Sequence, residues 1–482
     1  MLLCAVSVLG CSPRGSSPPV KGSCQDVARA LVKLAVTDGR AGMTPMLPKI
    51  RQELVSECRA DKWNEATRSC ILTAKTAAHA LHVCAITWAA RPRVKPAPTP
   101  KTRTRTSAPL QACTNAERDG RHIKCVGSVA SGHRPKAVRF SPDNKELWVA
   151  LHYDRPAVEV FDTRTWRLIG AVDLGEYGAV ELAFSPDGKR VYASQYETAS
   201  VFEIDRASRK VTRRLLTNSK ASKVIAVTPD GSRLFVANWS GKDVTEFSAR
   251  TGKRLRRLPV DGIPRGMFVT DDQKSLYVTS FSPGKLFKVD LATGKVTTVF
   301  DKGKAIRHIV GDRKNATLYI SDLGNSKIYK LNLASDELTT LTTANPKTNT
   351  IDLSPDGRVL FASNRGINNS ESFLLVGPEW GSIQAFDTRT GKLLDTVVAG
   401  NQTTGLSVSN DGKLLAISDF LDNRVNVYRL PSTSKLLTGG GKRHELTKTQ
   451  FSGNEPRQPH DPSHWRRLPA PIPRYSVETS RR

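Results

Sequence analysis

One turn recurs seven times along this chain at nearly constant spacing. It reads SPDN at 141–144, SPDG at 185–188, TPDG at 228–231, TDDQ at 270–273, GDRK at 311–314, SPDG at 354–357 and SNDG at 409–412. The steps between copies run from 41 to 44 residues, with a last one of 55. A period in this range signals a solenoid, a propeller or an array, because each copy buries its apolar face only against the next. Proline pre-sets the second turn position and glycine frees the fourth, so the chain folds back on itself. An apolar run follows each turn: LWVAL, VYASQ, LFVAN, LYVTS, LYISD, LFASN and LAISD. Another comes after it, such as VFEID (201–205), LFKVD (286–290) or IQAFD (383–387), then a polar turn such as DTRTG (387–391), then one more strand. Four strands per period, rich in Val, Ile, Leu, Phe and Tyr, predict one propeller blade.

The ends of the array predict how it closes. The seventh copy stops at VNVYRL (425–430) without a fourth strand. HIKCVGSVASGHRP (122–135), ahead of the first copy, has the strand-plus-loop pattern of KLLDTVVAGNQT (392–403). The expected fold class is therefore an all-β seven-bladed β-propeller over 113–430. Its strand at 122–131 would complete the last blade and hide the open edges, with Cys113–Cys125 pinning it there.

LYVTSFSPGKLFKVDLATGKV (276–296), with SPDGKRVYAS (185–194) and TPDGSRLFVANWSGKDV (228–244), resembles the YVTN family of β-propeller repeats. That family overlaps the lactonase-like seven-bladed propellers of exported and surface proteins. The resemblance covers about 133–430. It implies the fold, and a family of binding proteins, surface proteins and presumed enzymes. The WD40 dipeptides are missing.

The flanking segments point to export. Residues 1–21 begin MLLCAVSVLGCS, apolar up to Cys11 and too short to span a bilayer. Val8-Leu9-Gly10-Cys11 resembles a bacterial lipobox, which implies cleavage before Cys11 and lipidation of its thiol. Residues 22–90 carry apolar residues at three- and four-residue steps, predicting a small α-helical domain with four cysteines, Cys24, Cys58, Cys70 and Cys84. Without a CxxC pair these suit disulfides better than zinc. Cys24–Cys84 with Cys58–Cys70 is the favoured choice among three pairings. The domain resembles four-cysteine helical modules at the front of some secreted bacterial proteins. Residues 91–112 read as a Pro-rich basic linker and 431–482 as a mobile basic tail. The expected location is the bacterial cell envelope, lipid-anchored to a membrane, or the secreted fraction.

Lys and Arg exceed Asp and Glu by 28 charges, which favours polyanionic neighbours. Strand direction places the loops that enter first strands and leave second strands on one face, apart from the repeated turns. Just inside that face, at the start of first strands, stand Lys136, Lys223, Arg265 and Arg307, opposed by Glu181. After the second strands stand Tyr153, Tyr196, Trp239, Phe281, Leu323, Arg365 and Phe420. A mouth ringed by cations and then aromatics suits an anionic or saccharide ligand, by salt bridges and ring stacking, or blade-to-blade packing of the repeated aromatic. The insertion INNSESFLLVGPEWGS (367–382) falls on the same face. A metal-dependent lactonase would need Asp322, Asn364, Asp419 and Asn238 to converge there. Histidines are scarce, and no haem-attachment, nucleophile-elbow or P-loop motif is present. The expectation is a monomeric, non-catalytic propeller with no cofactor and no metal, binding a protein or polyanionic or saccharide ligand. A lactonase-like hydrolase is the alternative, and single-stranded nucleic acid a less favoured partner.

Overall fold

The computed structural model describes residues 110–451 apart from Glu176, and, near the amino terminus, residues 23, 25–27, 29 and 30. Of those few, residues 25–27, 29 and 30 are helical. Cys11, Cys24, Cys58, Cys70 and Cys84 lie outside the described residues.

Seven four-stranded antiparallel sheets follow one another around a bore. Their first strands, which line it, are Pro135–Phe140, Glu181–Phe184, Ser222–Val227, Pro264–Val269, Ile306–Asp312, Thr348–Leu353 and Thr403–Val408. Blade seven takes its outer strand from the other end of the chain. Lys124–Ala130 pairs antiparallel with Arg424–Arg429, from Lys124 opposite Arg429 to Ala130 opposite Arg424. The Cys113–Cys125 disulfide ties that strand to the segment before it.

The repeated turn does the same structural job in nearly every blade. In blade two Asp187 Oδ1 accepts from Ser185 Oγ at 2.5 Å and from the Lys189 amide at 3.1 Å, while Ser185 Oγ accepts from the Arg190 amide at 3.0 Å. Gly188 takes a φ of +67°, which glycine adopts freely. Ser141/Asp143, Thr228/Asp230, Thr270/Asp272, Ser354/Asp356 and Ser409/Asp411 repeat the hydroxyl–carboxylate bond. These bonds hold the turn aspartates below their ordinary pKa. The fifth copy departs: Asp312 accepts instead from Asn315. Between blades the apolar faces interdigitate around Trp148, Phe235, Phe287, Tyr329, Phe361 and Tyr428.

One boundary needs correction. The segment from Pro431 is not a mobile tail at its start. Thr433–Leu437 is a short helix (α1), and residues up to 451 lie against blades six and seven. Leu436 and Leu446 anchor it, 2% and 7% exposed. Apolar residues at that spacing give the segment surface to bury, which composition alone conceals. At the other end Leu110–Ala112 belongs to the propeller, since Gln111 bridges to Ser128.

Candidate functional site

A β-bulge builds the mouth of the bore. In six of the seven blades the register between first and second strands slips at one place, for example between Ser222 and Ile225 and between Pro264 and Met267. A bulge re-aims the side chain it carries. Lys136, Lys223, Arg265 and Arg307 sit at the bulges of blades one, three, four and five, with Asn349 and Thr404 at those of blades six and seven. Blade two has no bulge, and Glu181 lies one step further down its strand. Arg365, after the second strand of blade six, joins the cations from the rim.

The three arginines are buried and poorly compensated, and the two lysines are half-buried. Arg265, Arg307 and Arg365 are 6%, 5% and 8% exposed. Arg265 Nε and Nη1, Arg307 Nε and Arg365 Nε make no hydrogen bond. Glu181 is the carboxylate that faces them, with Arg139 Nη2 at 3.7 Å and Arg265 Nη1 at 3.9 Å. Burial, then the neighbouring Arg307, Arg365, Lys223 and Arg265, hold the Lys136 amine well below its ordinary pKa. Lys223 is depressed in the same way, by burial and then by Arg265, Arg307 and Arg365. Burial and Arg265 bring Arg365 down to about 10. One level lower, burial and Arg139, Arg265 and Arg307 depress His308.

Arginines on the blade exteriors are arranged differently. Arg206 reaches Glu146 at 2.7 Å, Arg256 reaches Glu246 at 2.5 Å, and Arg213 pairs with Glu203. These three guanidinium groups find carboxylates, whereas Arg307 and Arg365 in the mouth have none within salt-bridge distance among the described residues.

The rim follows the expected pattern in part. Lys223 Nζ stands 3.8 Å from the Trp239 ring centroid and 5.6 Å from that of Tyr196, and Trp239 packs on Phe281 at 4.9 Å. Lys136 Nζ lies 4.7 Å from the Phe420 ring. Phe420 and Leu323 are buried, 1% and 9% exposed, and serve as packing beneath the cations. Tyr153 is one residue out of register. The backbone bond that Trp239, Phe281, Leu323, Arg365 and Phe420 make to the loop entering the first strand is made in blade one by His152, to Arg134 O at 3.0 Å. Tyr153 stacks on His152 at 4.1 Å. Aligning LWVALH with LFVANW on the second strand itself identifies His152. Arg139 and His308 needed the bulge geometry, which sequence alternation hides.

The polar quartet does not form a site. Asp322, fully buried, accepts from the amides of Lys304 (3.0 Å), Ala305 (2.9 Å) and Gly324 (3.0 Å), and from Asn325 Nδ2 and Tyr329 Oη. Asn238 bridges Ser222, Asp243 and Thr245. Asn364 donates to Ser382 and Gln384 at 3.3 Å. Asp419 accepts from Thr403 Oγ1 and Asn426 Nδ2, both at 2.6 Å, and burial beside Asp422 pushes it up to about 8. Each fixes its own blade's loop instead of meeting the others. Among the described residues no group of three or more His, Cys, Asp or Glu is placed to hold a metal ion.

The insertion reaches back to the mouth. Gln402 accepts from Arg365 and donates to Phe373 O, and Arg134 donates to Leu374 O at 3.4 Å.

Seven four-stranded blades around a bore, closed by a strand from the other end of the chain, define a lactonase-like seven-bladed β-propeller, and this chain belongs to that family. The family model "Lactonase, 7-bladed beta-propeller" matches residues 317–470, and "SMP-30/Gluconolactonase/LRE-like region" matches 181–282. Among curated proteins, Antigen Lp49 of Leptospira interrogans serogroup Icterohaemorrhagiae serovar copenhageni (strain Fiocruz L1-130) is 30% identical over 325 residues, 65% of this chain and 71% of that protein. Among solved structures, hydrazine synthase of Kuenenia stuttgartiensis superposes with a TM-score of 0.52 at 17% identity, over 61% of this chain and 95% of that one. At that identity the likeness concerns the fold alone.

Proposed function

We propose that this protein is an exported, non-catalytic propeller that binds an anionic ligand, or the acidic surface of a partner protein, at the insertion-bearing end. The observation that carries this reading is the gathering of Lys136, Lys223, Arg265, Arg307 and Arg365 at one mouth, where Glu181 is the counter-charge to Lys223, Arg265 and Arg307. Guanidinium groups buried with nitrogens left unbonded, such as Arg265 Nε and Nη1, Arg307 Nε and Arg365 Nε, are costly, and are kept where a charged ligand completes them. The family models bear the names of lactonases, but the Asp and Asn side chains that hydrolysis would need hold loops together. Single-stranded nucleic acid fits less well, because its backbone tracks an open groove and these cations lie down a bore. Export is supported by the lipobox-like VLGC at 8–11, by the Cys113–Cys125 disulfide and by a relative that carries the name of an antigen.

Isothermal titration with heparin, polyphosphate and pyrophosphate tests the reading. At least one anion should bind, and the Arg265→Met/Arg307→Met double variant should lose it while keeping its fold by circular dichroism. Failure of every anion and of acidic peptides, or lactone turnover abolished by Asp322→Ala, would reject the proposal.

A further inference from the structure

The mouth also restricts the size and charge of what it can hold. Its three arginines are 5–8% exposed, so a polymer lying across the rim cannot reach them. The cations converge from blades one, three, four, five and six, which suits a ligand whose charge is gathered at one point. The insertion backbone at Phe373 and Leu374 stands over this point, through Gln402 and Arg134.

Resting on the anion-binding reading above, we infer that the well takes one compact oxyanion carrying two or more negative charges, held by the three buried guanidinium groups and the two lysines beside them. Inorganic pyrophosphate is the simplest probe of that class. A fixed set of guanidinium donors aimed inward makes charge-assisted bonds with such an oxyanion.

Lys136 and Lys223 both face Arg265, Arg307 and Arg365, and Glu181 is a counter-charge to Lys223, Arg265 and Arg307. His152 lies beside both lysines with Glu197 3.6 Å away, and Arg139 and His308 belong to the level below. A multiply charged anion offsets this crowd of positive charge better than a singly charged one. No covalent bond forms or breaks.

Titration of the whole protein with pyrophosphate in a phosphate-free buffer tests the inference. The expected result is one site per chain, and Arg307→Met should weaken binding by about tenfold or more, the value of one charge-assisted bond. Pyrophosphate binding at several sites per chain, or binding left unchanged by Arg307→Met, overturns the inference. Heparin binding without pyrophosphate binding also overturns it, yet leaves the anion-binding reading standing. A silent titration with every anion rejects both. Should Arg307→Met not fold, Arg265→Lys reads the same loss, because an ammonium cannot reproduce the fork of a guanidinium.

Discussion

At the scale of single residues, the mouth sacrifices stability. An amine whose folded pKa lies below its ordinary 10.5 binds fewer protons folded than unfolded, so stability falls as pH drops below that value. Replacing a buried charge by an apolar chain of similar volume is often stabilising. Lys223→Met should therefore gain about 1–3 kcal/mol at neutral pH, and the gain should shrink as pH rises towards 10.5. Urea melts at two pH values measure this, and a destabilised variant would show that the amine is well accommodated. The cations were legible in the sequence, since Lys and Arg at the head of a strand stand out among Val and Ile. Their depth was not. Which of Lys136 and Ala137 enters the bore depends on a bulge, and a bulge leaves no residue signature when Lys, Arg, Asn and Thr all occupy it. Tyr153 was misplaced because an aromatic drew the alignment one residue past His152.

At the scale of elements, closure was legible because a missing fourth strand and a spare one have complementary patterns. What holds the spare strand was hidden. Asp395, in the outer strand Leu393–Val398 of blade six, accepts from the amides of Arg121, His122 and Ile123 at 2.8, 2.8 and 2.9 Å. Asp395→Ala leaves those donors unpaired and should lower stability by about 2–4 kcal/mol. Circular dichroism melts would show it, and a change below a few tenths would mean water replaces the carboxylate. Blade seven also carries a pH response. Asp419 and Asp422 approach across Gly400, where a Cβ would lie 2.5 Å from Asp419 Oδ2 and 2.3 Å from Asp422 Oδ2. Asp419 is raised, so the folded state holds a proton that the unfolded state has lost. Its stabilising contribution is present at low pH and declines as pH rises from the ordinary carboxylate range towards about 8. Asp419→Asn should flatten the melting temperature across that window. An unchanged slope would assign the pH response to other groups.

At the scale of the whole molecule, the segment after the last blade links the rim to the site. Residues 431–451 and residues 116–123 cover the outer strand of blade six, which is buried, whereas the outer strands of blades two, three and five are largely exposed. Covering an edge in this way blocks strand pairing with other molecules. The same segment clasps the insertion: the Trp380 amide donates to Leu446 O at 2.9 Å, the Lys448 amide to Pro378 O at 2.9 Å, and Lys448 Nζ to Gly377 O at 2.6 Å. The insertion in turn holds Gln402, and Gln402 holds Arg365. Composition reads this segment as a mobile basic tail, because its few leucines are diluted by Lys, Gly and Thr and make sense only against blade six. A chain ending at Leu430 should keep seven blades, since no strand is lost. It should lose about 3–6 kcal/mol through removal of Leu436 and Leu446 and exposure of the blade surface that they cover. It should also bind pyrophosphate more weakly, as Arg365 is no longer positioned by the insertion. Hydrogen exchange at 367–380, compared between full and shortened chains, separates the two effects. Faster exchange there together with weaker binding supports the linkage. Faster exchange with unchanged affinity would show that Arg365 is held by the blade alone.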